Sequence, residues 1–96
     1  MKWLETIKVR LLHDTSDPLI EEILRSALAG PGCAGLKEVK LHRNAALATD
    51  LCLSLHWEKK NLPILGSTLG LCLAENLKEF GLVHHTVWVE EAQTLT

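Results

Sequence analysis

Residues 3–12 read WLETIKVRLL, and the pattern of this stretch indicates which other structural elements the rest of the chain must form. Ile7, Val9 and Leu11 alternate with the polar residues Thr6, Lys8 and Arg10. A period of two over this length is typical of a strand with one face in a hydrophobic core. Such a strand requires neighbouring strands and a covering layer over its apolar face.

The following segments supply those elements in a regular order. Asp17 and Pro18 indicate a helix start, because an N-cap acceptor is followed by a proline in the first turn, and Gly30-Pro31-Gly32 ends that helix. We predict strands over residues 36–43, 49–57 and 82–90. A second helix is predicted between an N-cap at Ser67 and Gly81. Its expected apolar stripe consists of Leu69, Cys72, Leu73, Asn76, Leu77 and Phe80.

The predicted order is therefore β-α-β-β-α-β, within a single domain over residues 1–96. Two right-handed β-α-β crossovers place both helices on one face of an antiparallel sheet with strand order 4-1-3-2. The sequence thus predicts an α+β fold of the ferredoxin-like sandwich type.

Composition and charge narrow the classes of partner. Ten Lys and Arg against twelve Asp and Glu give a net charge of −2 without any block of like charge, so we expect neither nucleic acid nor a membrane as partner. The first residues lack the apolar core of a signal peptide, which favours a cytoplasmic protein. Three cysteines without a CxxC pair favour reduced thiols. We expect no cofactor and no metal.

The sheet face opposite the helices carries the next signal, because it is less polar than a solvated face should be. Leaving Leu4, Leu12 and Trp88 in water forgoes roughly 1.5–3 kcal/mol for each large side chain that could be buried. A second copy packed on this face would bury them, which predicts a homodimeric barrel of two four-stranded sheets. The Ser, Thr and His residues between them leave room for a polar pocket. By parity this face should hold Leu4, Thr6, Lys8, Arg10, Leu12, Glu38, Lys40, His42, Cys52, Ser54, His56, Leu82, His84, Thr86 and Trp88.

The tryptophans form a candidate ligand pocket. In the predicted strand order, the start of the first strand and the ends of the third and fourth lie at the same end of the sheet. Trp3, Trp57 and Trp88 should gather there, with His56 beside them. Two interpretations stay open: the tryptophans fill the hydrophobic core, or they form the wall of a pocket for a flat apolar ligand.

Histidines are the candidate catalytic groups. His13 ends the first strand where the fourth begins, so it can pair with His84 or His85 in an acid–base or metal role; the alternative is that these are ordinary exposed or hydrogen-bonded histidines. His85 shares parity with Val83 and Val87 beneath the helices. It is either a hydrogen-bonded structural residue or lines a cavity between sheet and helices.

A helix that ends in Gly30-Pro31-Gly32-Cys33, followed by a strand and then by a strand closing on Trp57-Glu58, resembles the antibiotic-biosynthesis-monooxygenase-like group. The stress-responsive A/B-barrel proteins share that architecture. The specific motifs cover residues 30–58, whereas the element order matches over nearly the whole chain. The chain differs from the group in lacking tyrosine and in having no histidine in its second helix.

The resemblance implies a dimeric α+β barrel with Trp57 as a pocket residue and, for some members, cofactor-independent oxidation of electron-rich aromatic compounds. We therefore expect a homodimer that binds a small apolar or aromatic molecule, with monooxygenase-like activity left open. The alternative is a non-catalytic module, either a ligand-sensing domain like the ACT domains, which have the same element order, or a structural dimerisation domain.

Overall fold

The structure is a computed structural model that describes residues 1–12, 17–30, 32–91 and 95. Its elements are β1 (Lys2–Leu11), α1 (Asp17–Leu28), β2 (Leu36–Arg43), β3 (Asp50–Glu58), α2 (Thr68–Leu77) and β4 (Gly81–Val89). The four strands form one antiparallel sheet in the order β2-β3-β1-β4. These features confirm the predicted α+β class, element order and strand order, and they are consistent with a ferredoxin-like sandwich.

The core lies between the sheet and the two helices. The odd-numbered residues of β1 and β3 face the helices, as the alternation predicts, and α1 and α2 contribute apolar side chains from above. The fully or nearly buried apolar residues are Trp3, Ile7, Val9, Leu11, Ile20, Leu24, Leu51, Leu53, Leu55, Trp57, Leu69, Leu73, Ala74 and Leu77. Neither of the two described helices lies on the opposite face of the sheet.

Helix α2 differs from its prediction in both its end and its buried face. It ends at Leu77 rather than Phe80, because residues 78–80 form a turn in which the Phe80 N–H bonds the Leu77 carbonyl. Its buried stripe includes Gly70 and Ala74, whereas the predicted Cys72 and Asn76 are exposed. Small residues bring the helix backbone close to the sheet, which a stripe of large side chains would prevent.

Gly81 lets the chain turn directly from α2 into β4. A Cβ at this position would lie 2.0 Å from the carbonyl oxygen of Arg10, so only glycine fits against the backbone of β1. In the part of the chain that the structure describes, neither helix is long and apolar enough to cross a membrane.

Candidate functional site

Glu5 is a carboxylate enclosed in the core, with none of its surface exposed (0 %). The Trp57 indole donates to its Oε2 at 2.8 Å, and the backbone N–H of Ser67 donates to its Oε1 at 2.7 Å. The Ser67 hydroxyl also donates to Oε2, and its oxygen accepts the N–H of Gly70 at 2.9 Å. Ser67 is the N-cap of α2, so the carboxylate also lies at the positive end of that helix.

His85 makes the fourth contact with Glu5. Its Nε2 lies 2.9 Å from Oε1, and its side chain is 11 % exposed. The other three contacts with the carboxyl group come from donors, which is the arrangement that an ionised carboxylate requires, since it can only accept. Beside an ionised Glu5, His85 donates from Nε2, and in a neutral ring this donation corresponds to the Nε2–H tautomer.

Two glycines allow this arrangement. A Cβ on Gly70 would lie 2.1 Å from Glu5 Oε1, and a Cβ on Gly66 would lie 2.3 Å from His85 Cε1. Gly66 also has φ +117°, a conformation that side-chain-bearing residues rarely adopt. The loop before α2 and the first turn of the helix therefore close directly over the group formed by Glu5, Trp57, Ser67 and His85, which we term the Glu5 cluster.

The three tryptophans gather at one end of the sheet, as the strand order predicts, but they divide between its two faces. Trp3 and Trp57 stack with ring centroids 5.4 Å apart and 2 % of each residue exposed, and the Lys59 ammonium lies 4.8 Å from the centre of the Trp57 ring. Trp88 lies on the face without helices, 58 % exposed, and donates to Thr86 Oγ1 at 2.9 Å. The Trp3 indole N–H is buried without a hydrogen-bond partner among the described residues.

All four predicted pocket residues line a recess of about 300 Å³ at this end of the sheet. Trp88 and the half-buried His56 present side chains there, because both point away from the helices. The rings of Trp3 and Trp57 are turned into the core and contribute almost no exposed surface. The structure thus brings the four residues together while giving them different surroundings.

The face without helices, here called the open face, is organised in transverse rows set by the strand register. Its large apolar residues stand in the two end rows, Leu82 beside an ion pair in one and Leu4 with Trp88 in the other, while the middle rows are polar. Thr6 and Thr86 are hydrogen-bonded to each other at 2.7 Å in the central row. From one end to the other the rows are Asp50-Arg10-Leu82, then His42-Cys52-Lys8-His84, then Lys40-Ser54-Thr6-Thr86, then Glu38-His56-Leu4-Trp88.

Charge on the open face is only partly paired. The Arg10 guanidinium holds Asp50 through two hydrogen bonds of 2.9 and 3.0 Å, which lowers the pKa of the Asp50 carboxyl and raises the pKa of Arg10. Lys40 lies 3.7 Å from a Glu38 oxygen. Lys8 has no carboxylate partner within the described ranges. It lines a second recess, of about 520 Å³, at the end of the face away from Trp88.

The candidate catalytic residues His84 and His85 lie on opposite faces of the sheet. His84 is exposed on the open face, whereas the adjacent His85 points into the core, since neighbouring strand residues face opposite ways. The prediction for His13 lies outside the described residues. Over the ranges that are described, no three His, Cys, Asp or Glu side chains are grouped so that they could hold a metal ion.

Glu5 is the residue that the sequence prediction missed. It shares the parity of Trp3 and Ile7, so the same alternation that predicted the core also places this carboxylate inside it. A buried carboxylate requires donors, and Ser67 was predicted only as a helix cap. Parity would have indicated that Glu5 needs partners without showing which side chains provide them.

The fold and the Glu5 cluster define an α+β protein with a buried, fully hydrogen-bonded carboxylate that contacts an imidazole, and with one sheet face that neither described helix covers. The chain gives no match with family models, with curated proteins or with solved structures.

Proposed function

We propose that the protein acts as a homodimer whose two open faces pack together, and that the space between them binds a small molecule with an apolar or aromatic part. The observation that carries this proposal is the uncovered sheet face with large apolar residues at its ends. Trp88 is 58 % and Leu82 is 67 % exposed. Covering side chains of this size stabilises an association by roughly 1.5–3 kcal/mol each.

The dimensions of the open face support a second copy as its cover. Strands of about nine residues at ~3.3 Å per residue, spaced ~4.8 Å apart, give a face of roughly 30 Å by 19 Å, or about 570 Å² in projection. Side-chain relief adds to this area, so it approaches the ~800 Å² that each partner buries in a standard interface. A two-fold arrangement also uses the same patch on both copies, which closes the assembly.

The ligand part of the proposal is supported by the recesses at the two ends of the face. The recess beside Trp88 has an aromatic wall and a histidine, and the recess beside Lys8 is larger and more polar. A second sheet packed on the apolar ends would enclose the polar middle and these recesses. Small-molecule sites are commonly of this kind, apolar with a few polar groups that fix orientation.

The dimer is tested with charge substitutions on opposite sides of the molecule. Trp88→Glu and Leu82→Glu place a carboxylate in the proposed interface, whereas the control Leu71→Glu changes a residue that is 48 % exposed on α2. We expect light scattering to report monomers for the first two variants and a dimer for the control. Both interface residues are exposed in the single chain, so circular dichroism should show folded monomers. Dimers in all three variants would refute the interface.

Ligand binding is tested by fluorescence with a hydroquinone as the probe. Saturable quenching is expected in the wild-type protein, and it should disappear in Trp88→Phe, because the two remaining indoles are each 2 % exposed. Oxygen consumption in the same samples tests the monooxygenase-like reaction that the resemblance implies, in which the substrate supplies the electrons for O₂. A dimer with only linear quenching would favour a structural dimerisation role.

A further inference from the structure

Lys8 is a cation of the open face that has no ion-pair partner among the described residues. Of the three cationic side chains in the four rows, Arg10 is bound by Asp50 and Lys40 lies 3.7 Å from Glu38, whereas no described acidic side chain lies within ion-pairing distance of Lys8. The strand register instead places Cys52 on one side of it and His84 on the other. His42 follows beyond Cys52 in the same row. The row therefore combines one ammonium with two imidazoles and contains no carboxylate.

Packing two open faces together would make this unpaired charge unfavourable. The proposed dimer brings the Lys8 of both copies out of bulk water, and a charge removed from water without a partner opposes association. The nearest carboxylate in the strand register, Asp50, does not neutralise Lys8, because it already accepts two hydrogen bonds from the Arg10 guanidinium. An anion that enters from solution would supply the negative charge that Lys8 lacks.

The recess around Lys8 has the size and lining for such an anion. Its volume of about 520 Å³ lies in the range of small-molecule sites. Its polar lining includes Lys8, His42 and His84 together with the Arg10–Asp50 ion pair, and Leu82 lines it at the edge of β4. A ligand with an anionic head and an apolar body would use both parts of the lining.

We propose that this row binds an organic anion, with a carboxylate or phosphate group at Lys8 and His84 and an apolar part against Leu82. The inference rests on the proposed dimer, because closing the two faces turns the recess into an enclosed chamber. The ligand of the proposed dimer would then carry a negative charge. Lys8 is the main electrostatic contact, and His84 supplies a hydrogen-bond donor when its ring presents an N–H.

The test uses benzoate and phenyl phosphate as probes, with benzamide as the uncharged analogue of benzoate. Binding is measured by calorimetry and by amide shifts in ¹H–¹⁵N spectra, and light scattering reports the oligomeric state of each sample. We expect at least one of the two anions to bind saturably and benzamide to bind at least about tenfold more weakly, because charge-assisted hydrogen bonds contribute roughly twice as much as neutral ones. The preferred anion distinguishes a carboxylate from a phosphate ligand.

Matched variants localise the site. Lys8→Gln should weaken anion binding by about tenfold, and His84→Gln should weaken it to a smaller extent. Lys60→Gln, which removes an exposed lysine outside the recess, should leave binding unchanged. In the absence of an anion, Lys8→Gln should dimerise more tightly than the wild-type protein, since it removes the unpaired charges.

The outcomes separate this inference from the proposed dimer. A dimer that binds neither anion, or binds benzoate and benzamide equally well, overturns the anion site and leaves the dimer. A monomer that binds an anion in a Lys8-dependent way supports the site and overturns the dimer. Binding that is insensitive to Lys8→Gln overturns the site, whatever the oligomeric state.

Discussion

Glu5 shows how a charged residue can lie in a small core when all of its hydrogen-bonding capacity is used. Two donors converge on each carboxylate oxygen, and they come from the strand β3, the start of α2 and the edge strand β4. The cluster therefore joins three elements of the fold through one side chain. Its role is structural, because it fixes the start of α2 and the edge strand β4 against β1 and β3.

Glu5→Gln tests the cluster at constant side-chain volume. The new amide nitrogen cannot accept hydrogen bonds, so the donors that meet one carboxylate oxygen lose their acceptor. We expect a loss of about 2–4 kcal/mol in the free energy of unfolding, because unsatisfied buried polar groups cost on the order of 1–3 kcal/mol each. Urea unfolding measures it, with Glu75→Gln on the exposed face of α2 as the control. A loss no larger than that of the control would contradict the account.

Gly70→Ala should lower the stability of the protein, although replacing glycine by alanine in a helix usually raises it. Alanine normally stabilises a helix interior by about 0.5–1 kcal/mol relative to glycine. Here the added methyl group would lie 2.1 Å from Glu5 Oε1, so thermal unfolding should show destabilisation. Gly30→Ala is the control, because its methyl would meet only the Ala27 carbonyl at an ordinary 3.5 Å. A stabilised Gly70→Ala protein would show that the helix is not so close to Glu5.

The tautomer of His85 follows from the same contacts and can be read directly. In the neutral ring, long-range ¹H–¹⁵N spectra should show Nε2 as the protonated nitrogen and Nδ1 as the unprotonated one. Glu5→Gln should weaken this preference, since its amide can either accept or donate. A protonated Nδ1 and an unprotonated Nε2 in the wild-type ring would be incompatible with the donor assignment.

At the scale of elements, the strands were easier to predict than the helices. Alternation in β1 and β3 assigns each side chain to a face, and the structure confirms those faces. The predicted stripe of α2 was right for its three leucines, but Gly70 and Ala74 face the sheet in place of Cys72 and Asn76, because the helix lies close to it. The distance between a helix and the sheet depends on tertiary packing, and the periodicity of the helix sequence does not predict it.

The Arg10–Asp50 pair joins β1 and β3 and gives the fold a pH-dependent element. Its hydrogen bonds lower the pKa of Asp50 in the folded state, so its stabilising contribution is present above the ordinary pKa of aspartate and is lost as the pH falls through the lower folded value. The wild-type melting temperature should exceed that of Asp50→Asn near neutrality, and the difference should vanish on acidification below about pH 4. The pair is on the surface, so the difference should be small and should shrink in high salt. A difference that grows on acidification would contradict this sign.

At the scale of the whole molecule, the parity of the strands predicted which residues occupy the open face, and the register then arranged them in rows. The gathering of the tryptophans at one end was also predictable, because it follows from strand order alone. Their division between core and open face follows from parity, which assigns Trp88 to the opposite side from Trp3 and Trp57. The unpaired state of Lys8 required the register and the observed ion pairs, since a sequence does not show which charges meet.

Native mass spectrometry of the unmodified protein tests most directly whether a second copy of the chain covers the open face. We predict a species of twice the chain mass of 10.7 kDa, because a second copy buries Leu82 and Trp88 of both chains. Additional mass retained on that dimer would identify its ligand. A species at 10.7 kDa over the micromolar concentration range would contradict the account.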